Sequence, residues 1–236
     1  MKGPVVAVFV AVFGLAVCGD EVYIRPCHEK DAECLQASAQ AAVPLLAAGV
    51  PSMGIAVMDP MHVKQVKTSQ AGLDMDFRNT NVTGLRHCKV LDLKRNGHLT
   101  NLDLKCSVVM RGDYTLGGKL LIMPIEGSGR YSIKIHDIVV KIQFHVDVVP
   151  RDGDTYWVVK SWKFNTDVQK GVHFMFKNLF NGNKQLSDAV HQFANGNWKD
   201  IFQEVAPPIV KVIVSKLVEE STKLFDKMPL KKLVLP

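Results

Sequence analysis

The chain has 236 residues, of which 47% are hydrophobic and 22% are charged, and its formal net charge is +6. It is long enough to bury its own core, as one large domain or two small ones. The positive residues are spread along the chain, which favours solubility over a charged binding face, and the terminal cluster Lys231-Lys232 is too short to be an arm for nucleic acid.

The N-terminus has the pattern of a secretory signal. Lys2 precedes an apolar run over residues 5–17, and small residues follow at 16–19. We therefore predict that residues 1–18 are a cleaved signal peptide and that residues 19–236 form a single domain. A membrane anchor is the alternative, but the apolar run is shorter than the roughly 20 residues of a spanning helix.

Four cysteines remain once Cys18 leaves with the signal, and in an oxidising compartment they are expected to form disulfides. Cys27 and Cys34 close a short loop and are predicted to be bridged. Cys88 and Cys106 flank a strong hairpin signal, but the parity of neighbouring leucines places Cys88 outside and Cys106 inside. A β-bulge would reconcile the two observations, so the sequence leaves this second bridge open.

A glycosylation sequon at Asn81-Val82-Thr83 supports the same compartment. It predicts an exposed, glycosylated Asn81, and it carries no information about function.

An alanine-rich segment from Leu35 predicts a short helix that ends near Gly49. Pro51, Gly54 and Pro60 then interrupt the chain, so residues 50–60 are predicted to be an extended connector.

From about residue 62 to residue 176 apolar and polar side chains alternate, which indicates strands with one buried face. Tight turns between them require antiparallel neighbours, and long strands predict a twisted, curved sheet. The predicted turns are Asn96-Gly97, Gly112-Asp113, Gly117-Gly118, Gly127-Ser128-Gly129 and Asp152-Gly153-Asp154.

From about residue 183 to residue 228 the apolar residues recur at three- and four-residue steps, which predicts a long amphipathic helix. Pro207-Pro208 predicts a kink or break, and Asn195-Gly196 is a second candidate. One long helix and one curved sheet bury their apolar faces best if the sheet wraps around the helix. The predicted class is therefore α+β.

Sequence signatures of catalysis are missing. The eight histidines include no pair at helical metal-ligand spacing with a third ligand nearby, and there is no nucleophile elbow or nucleotide-binding glycine loop. Trp157 and Trp162 lie among lysines, but edge-strand positions explain them better than a nucleic-acid surface. We therefore expect no enzyme, no metal, no cofactor and no nucleic-acid partner.

Short motifs occur in order along nearly the whole mature chain: Cys27-x6-Cys34, Asp59-Pro60, Thr83-Gly84-Leu85, Arg111-Gly112-Asp113-Tyr114, Gly127-Ser128-Gly129, residues 178–186, Asn197-Trp198-Lys199 and Pro207-Pro208-Ile209. Together they make the chain similar to the takeout and juvenile-hormone-binding family of insects. Classical hormone carriers have a second disulfide in the C-terminal half. This chain has no cysteine after Cys106, which places it nearer the takeout branch.

The resemblance implies a helix wrapped by a curved antiparallel sheet, an internal tunnel for an apolar ligand, the Cys27–Cys34 bridge, and secretion into haemolymph or a similar fluid. The expected partner is a terpenoid, quinone or fatty-acid-like molecule, and membrane contact is at most transient. A lipid-recognising defence protein, a lipid-modifying enzyme and a ligand-free interaction module are the alternatives.

The candidate ligand-binding residues come from strand parity and from the helix face, and for each of them an ordinary core position is the alternative. They are Phe77, Leu91, Leu93, Leu104, Ile133, Ile135, Ile142, Phe144, Phe193, Ile201, Phe202, Val205, Ile209 and Ile213.

Overall fold

The computed structural model describes residues 23–236, so the predicted signal peptide at 1–18 lies outside the described residues. The elements are α1 (Ala32–Ala48), β1 (Met61–Gln70), β2 (Leu73–Thr83), β3 (Lys89–Asn96), β4 (Leu99–Leu120), β5 (Met123–Arg151), β6 (Asp154–Phe176), α2 (Lys184–Gly196), α3 (Trp198–Val205) and α4 (Pro207–Lys227). No helix in this part of the chain has both the length and the apolar character needed to cross a bilayer.

The six strands form one antiparallel sheet in the order β1-β2-β4-β5-β6. β3 and β2 lie end to end along the same edge of β4, because β3 pairs with residues 99–105 and β2 with residues 109–118. β5 has 29 residues, which at about 3.4 Å per residue makes it roughly 100 Å long. Strands of this length twist strongly.

The sheet wraps around the C-terminal helices. α4 packs against both β1 and β6, the two outer strands of the sheet, while α2 and α3 pack against β6. At the β1 side, the Lys216 ammonium donates to the carbonyl of His62 at 2.9 Å. The inner face of the sheet and the apolar stripe of the helices share one core, which confirms the predicted α+β architecture.

Both predicted helix breaks are present. α2 ends at Gly196, where Asn195 turns its side chain to the edge strand and pairs with the backbone N–H (2.7 Å) and carbonyl (3.1 Å) of Phe174. Pro207 and Pro208 occupy the first turn of α4. Backbone N–H groups in a first turn have no acceptor within the helix, so proline loses no helical hydrogen bond there. α1 also forms as predicted, with Pro44 inside it.

Two of the predicted turns are confirmed, Asn96-Gly97 and Asp152-Gly153-Asp154. The other three are wrong because their glycines lie inside β4 and β5. A β-carbon on Gly112 would lie 2.6 Å from the carbonyl oxygen of Arg78, and one on Gly129 would lie 2.5 Å from that of Lys177. These glycines allow another backbone segment to pack closely against the strand, and they do not reverse the chain.

Both disulfides are formed, Cys27–Cys34 and Cys88–Cys106. The pairing of β3 with β4 shifts register between Val90 and Asp92, so Leu91 is the extra residue of a bulge. The bulge resolves the parity conflict: Leu91 is 41% exposed, whereas both Cys88 and Cys106 are buried.

Replacing both Cys88 and Cys106 with alanine should lower the free energy of unfolding by about 3 kcal/mol, since the bridge closes a loop with a sequence separation of 18. For a chain of this size the melting temperature should fall by roughly 6–12 °C. Thermal melts of the double variant and of its matched control, Cys27→Ala with Cys34→Ala, measure this. An unchanged melting temperature would contradict it.

Glu220 holds the connector at residues 50–60 against α4. Its buried carboxylate accepts hydrogen bonds from the N–H of Ala56 at 2.7 Å and from Lys223 Nζ at 2.8 Å. Burial alone would raise the pKa of Glu220, but the hydrogen bonds from Lys223 and Ala56 outweigh it and hold the pKa below its ordinary value of 4.5.

Glu220→Gln should therefore lower the free energy of unfolding at neutral pH by about 1–2 kcal/mol. Because the pKa of Glu220 is lower in the folded than in the unfolded protein, its ionised carboxylate stabilises the fold at pH values above the unfolded pKa. This stabilisation is lost as the pH falls through the folded pKa. Urea unfolding at neutral and at acidic pH should show that the difference in free energy of unfolding between wild type and variant becomes smaller in acid. The exposed neighbour Glu219, changed to glutamine, is the control. A gap that does not depend on pH would refute the assignment.

Candidate ligand-binding site

Two apolar cavities lie between the sheet and the helices. The larger cavity has a volume of about 280 Å³ and is enclosed by α1, the second half of α4 and the ends of β3, β4, β5 and β6. The smaller cavity, of about 60 Å³, lies between the first halves of β2 and β5, the second half of β4, the end of β6, the helices α2 and α3, and the start of α4.

The larger cavity is big enough for a small ligand. An apolar cavity of about 150 Å³ holds benzene, and small-molecule pockets begin at about 300 Å³. In proportion to benzene, 280 Å³ holds about 11 carbon atoms. The smaller cavity has room for no more than a side-chain-sized group.

The predicted lining residues divide between the two cavities. Four of them line the larger cavity: Leu93, Leu104, Ile142 and Phe144. Seven line the smaller cavity: Phe77, Ile133, Ile135, Ile201, Phe202, Val205 and Ile209. Leu91, Phe193 and Ile213 line neither: Leu91 is the exposed bulge residue, while Phe193 and Ile213 are half-buried against the core. Whether any of them contacts a ligand stays a prediction.

Sequence reasoning missed the side of the larger cavity formed by α1. Ala39, Ala42 and Val43 lie on this side. α1 is attached to the outer edge of β3, where Gln40 accepts from the N–H of Val90 at 2.8 Å and donates to the carbonyl of Cys88 at 3.1 Å. Ala39, Ala42 and Val43 are three and four positions apart and therefore lie on one face of α1, and this spacing was the available signal.

The start of the described chain and the C-terminal tail meet beside the larger cavity. The backbone N–H of Cys27 donates to the carbonyl of Leu233 at 3.2 Å, and that of Leu235 donates to the carbonyl of Cys27 at 3.0 Å. Because Cys27 and Leu233 also line the cavity, the Cys27–Cys34 loop and the C-terminal tail close this end of the molecule.

Two buried tyrosines have perturbed titration but no reactive partner among the described residues. Burial raises the pKa of both Tyr114 and Tyr131 to about 12. Their hydroxyls join structural elements, Tyr114 to the carbonyl of Lys177 at 2.8 Å and Tyr131 to the Thr80 hydroxyl at 2.7 Å. The arrangement is suited to structural support.

At the surface, the structure brings together His98, His145 and Asp147, whose potential ligand atoms lie within 4.8 Å of one another. The spacing rules for metal ligands on one helix did not find this group, because His98 lies in the turn before β4 while His145 and Asp147 lie on β5. It lies outside both cavities.

Comparisons with known proteins agree with this geometry. The sequence model of the family "Haemolymph juvenile hormone binding protein (JHBP)" matches residues 6–235. The circadian clock-controlled protein daywake of Drosophila melanogaster is 30% identical over 201 residues, which cover 79% of this chain and 77% of that protein. Its Drosophila yakuba counterpart is 27% identical over the same shares of the two chains.

Among solved structures, Takeout 1 of Epiphyas postvittana superposes with a TM-score of 0.88 at 26% identity, covering 90% of this chain and all of that one. The matched family is one of binding proteins and not a class of enzymes. The chain belongs to the haemolymph juvenile hormone binding protein family.

Proposed function

We propose that the protein is a secreted carrier that holds a hydrophobic small molecule in the larger cavity and performs no chemistry on it. The observation that carries the proposal is the lining. Of the 33 residues that line the cavity, only Arg25 and Arg95 are charged. An apolar cavity of this size attracts apolar molecules out of water.

The energetics suffice for a useful affinity. Burial of about 400 Å² of ligand surface contributes about 10 kcal/mol before ordering costs, and a micromolar Kd corresponds to about 8 kcal/mol. A ligand longer than about 11 carbon atoms would have to extend along α4 toward the smaller cavity. Terpenoids, quinones and fatty acids are the candidate classes.

Native mass spectrometry of the protein secreted from an oxidising host, followed by solvent extraction, tests the proposal. We expect a stoichiometric apolar compound, or uptake of a long-chain terpenoid, quinone or fatty acid by the empty protein. A protein that is empty and takes up none of these would overturn the carrier function and favour a ligand-free interaction module. Salt-sensitive binding to anionic vesicles without ligand uptake would favour a lipid-recognising defence protein.

Secretion, one domain over residues 19–236 and a glycan on Asn81 are part of the proposal. Two disulfides support an oxidising compartment. Asn81 is exposed on β2, with its side-chain oxygen 3.2 Å from His62 Nδ1. In material from insect cells, Asn81→Gln should remove a glycosidase-sensitive mass, and an unchanged mass would show that the sequon is not used.

A further inference from the structure

One residue that lines the larger cavity carries a buried donor without a partner. Trp157, on β6, lines this cavity, and its indole Nε1 is buried without a hydrogen bond to any of residues 23–236. It is the one buried side-chain nitrogen or oxygen of this part of the chain in that state. Since buried polar groups in folded proteins are almost always hydrogen-bonded, an unmatched donor on a residue that lines the cavity points to an acceptor that the ligand brings.

A buried cation lies beside this donor. The Arg95 guanidinium stacks over the Trp157 ring, 4.3 Å from its centroid, and the Arg95 side chain is only 6% exposed. Arg95 Nε donates to Glu29 at 2.8 Å and Arg95 Nη1 to the Thr100 hydroxyl at 3.2 Å. Arginine is rarely buried to this extent unless it is paired with negative charge.

The charge around the cavity is unbalanced. Arg25 and Arg95 both line it, and no carboxylate does. Glu29, which pairs with Arg95, is 46% exposed and lies outside the lining. Water therefore weakens the attraction between its carboxylate and the buried guanidinium. A second anion on the cavity side would add to the weakened compensation of the guanidinium and would accept from the unmatched indole N–H.

We propose that the carried ligand is an amphiphilic carboxylic acid whose carboxylate is bound by Trp157 and Arg95. This inference rests on the proposed carrier function and narrows its ligand class. An ionised carboxylate accepts charge-assisted bonds from an indole and a guanidinium at once. A quinone, ester or epoxide oxygen can accept from the indole but brings no negative charge to the guanidinium, whose paired carboxylate on Glu29 is half-exposed. The hydrocarbon chain then lies among apolar residues such as Leu104, Phe144 and Val218.

The test compares dodecanoate with dodecanol at about pH 7, where the acid is ionised, by displacement of the neutral probe 1-aminoanthracene. We expect wild type to bind dodecanoate about 30-fold more tightly than dodecanol. Arg95→Gln should reduce this preference to under about 3-fold, and Trp157→Phe, which keeps an aromatic ring, should lower dodecanoate affinity about 10-fold. Arg25→Gln, at an exposed position of the same lining, should change the preference little.

A direct readout protects the test against unstable variants. The protein has three tryptophans, and the indole N–H resonance that Trp157→Phe removes is that of Trp157. In wild type it should move downfield with dodecanoate, and the Trp162 resonance should not move. Equal affinities for the two compounds with a stationary Trp157 resonance would refute the carboxylate inference and leave the carrier function standing. Failure to bind either compound or the probe would refute both.

Discussion

Replacing Asp59 with alanine is expected to lower the free energy of unfolding by about 3 kcal/mol. The buried carboxylate of Asp59 accepts hydrogen bonds from the N–H of Gly84 at 3.2 Å and from the N–H and Nε of Arg86 at 2.8 Å and 3.2 Å. Alanine leaves two backbone donors without their acceptor, and the cost of such orphaned donors exceeds the net value of the bonds themselves. The Arg86 side chain is 49% exposed, so water can solvate its guanidinium after the substitution.

Urea unfolding of Asp59→Ala measures this loss, and Asp92→Ala is the control. Asp92 also pairs with a basic residue, Lys94 at 2.7 Å, but on the surface, where an ion pair contributes under about 1 kcal/mol. Asp59→Asn, which keeps one acceptor oxygen, should fall between the two. An Asp59→Ala variant no less stable than Asp92→Ala would show that the loop around Gly84 is held by other contacts.

This contact explains why separate sequence motifs occur together in the family resemblance. Asp59-Pro60 and Thr83-Gly84-Leu85 are far apart in sequence, and they meet where the Asp59 carboxylate binds the start of the turn at Leu85–His87. Gly84 has φ of +104°, and a β-carbon there would lie 2.4 Å from the carbonyl oxygen of Ser107. Only glycine satisfies both requirements.

Periodicity predicted the strands and helices because each has one buried face, which is a local property of the sequence. Turn positions were less predictable. The hairpin between β4 and β5 turns at Leu121 and Ile122, which are not turn-forming residues, while glycine at 127 and 129 accommodates the backbone at residues 177–179. A glycine can reverse the chain or can make room for the backbone of a distant segment. Which of the two it does depends on tertiary contacts that no local pattern encodes.

The candidate site was predicted less completely, for a related physical reason. Strand parity identifies side chains that point inward, but it does not tell which inward side chains meet filled space and which meet a cavity. Half of the predicted residues, such as Phe77 and Ile201, therefore lie around the smaller cavity. Arg95 and Trp157 were missed as lining because a charged residue and an indole on outer strands resemble ordinary surface positions.

Val218→Phe is expected to weaken binding of an apolar ligand several-hundred-fold without loss of folding. Val218 is 5% exposed on α4 and lines the larger cavity. A phenyl ring there displaces about 150 Å² of ligand contact, which at about 25 cal/mol per Å² corresponds to nearly 4 kcal/mol. The empty cavity of about 280 Å³ receives the ring without strain.

The matched control is Val210→Phe, the same change two turns earlier on the same helix. Val210 is 9% exposed and faces the smaller cavity of about 60 Å³, where a ring overpacks the core and costs about 1–3 kcal/mol of stability. We expect this variant to unfold more easily and yet to bind a ligand of about 11 carbon atoms almost as well as wild type. Probe displacement and urea unfolding of both variants separate the two effects.

The pair of variants also reports how the two cavities relate, because a ligand that stays in the larger cavity is sensitive to Val218→Phe alone. A ligand whose chain continues along α4 into the smaller cavity must lose affinity in both variants, and the loss from Val210→Phe should grow with chain length beyond about 11 carbon atoms. Unchanged binding in Val218→Phe, at any chain length, would place the ligand outside the larger cavity and contradict the site proposed for it.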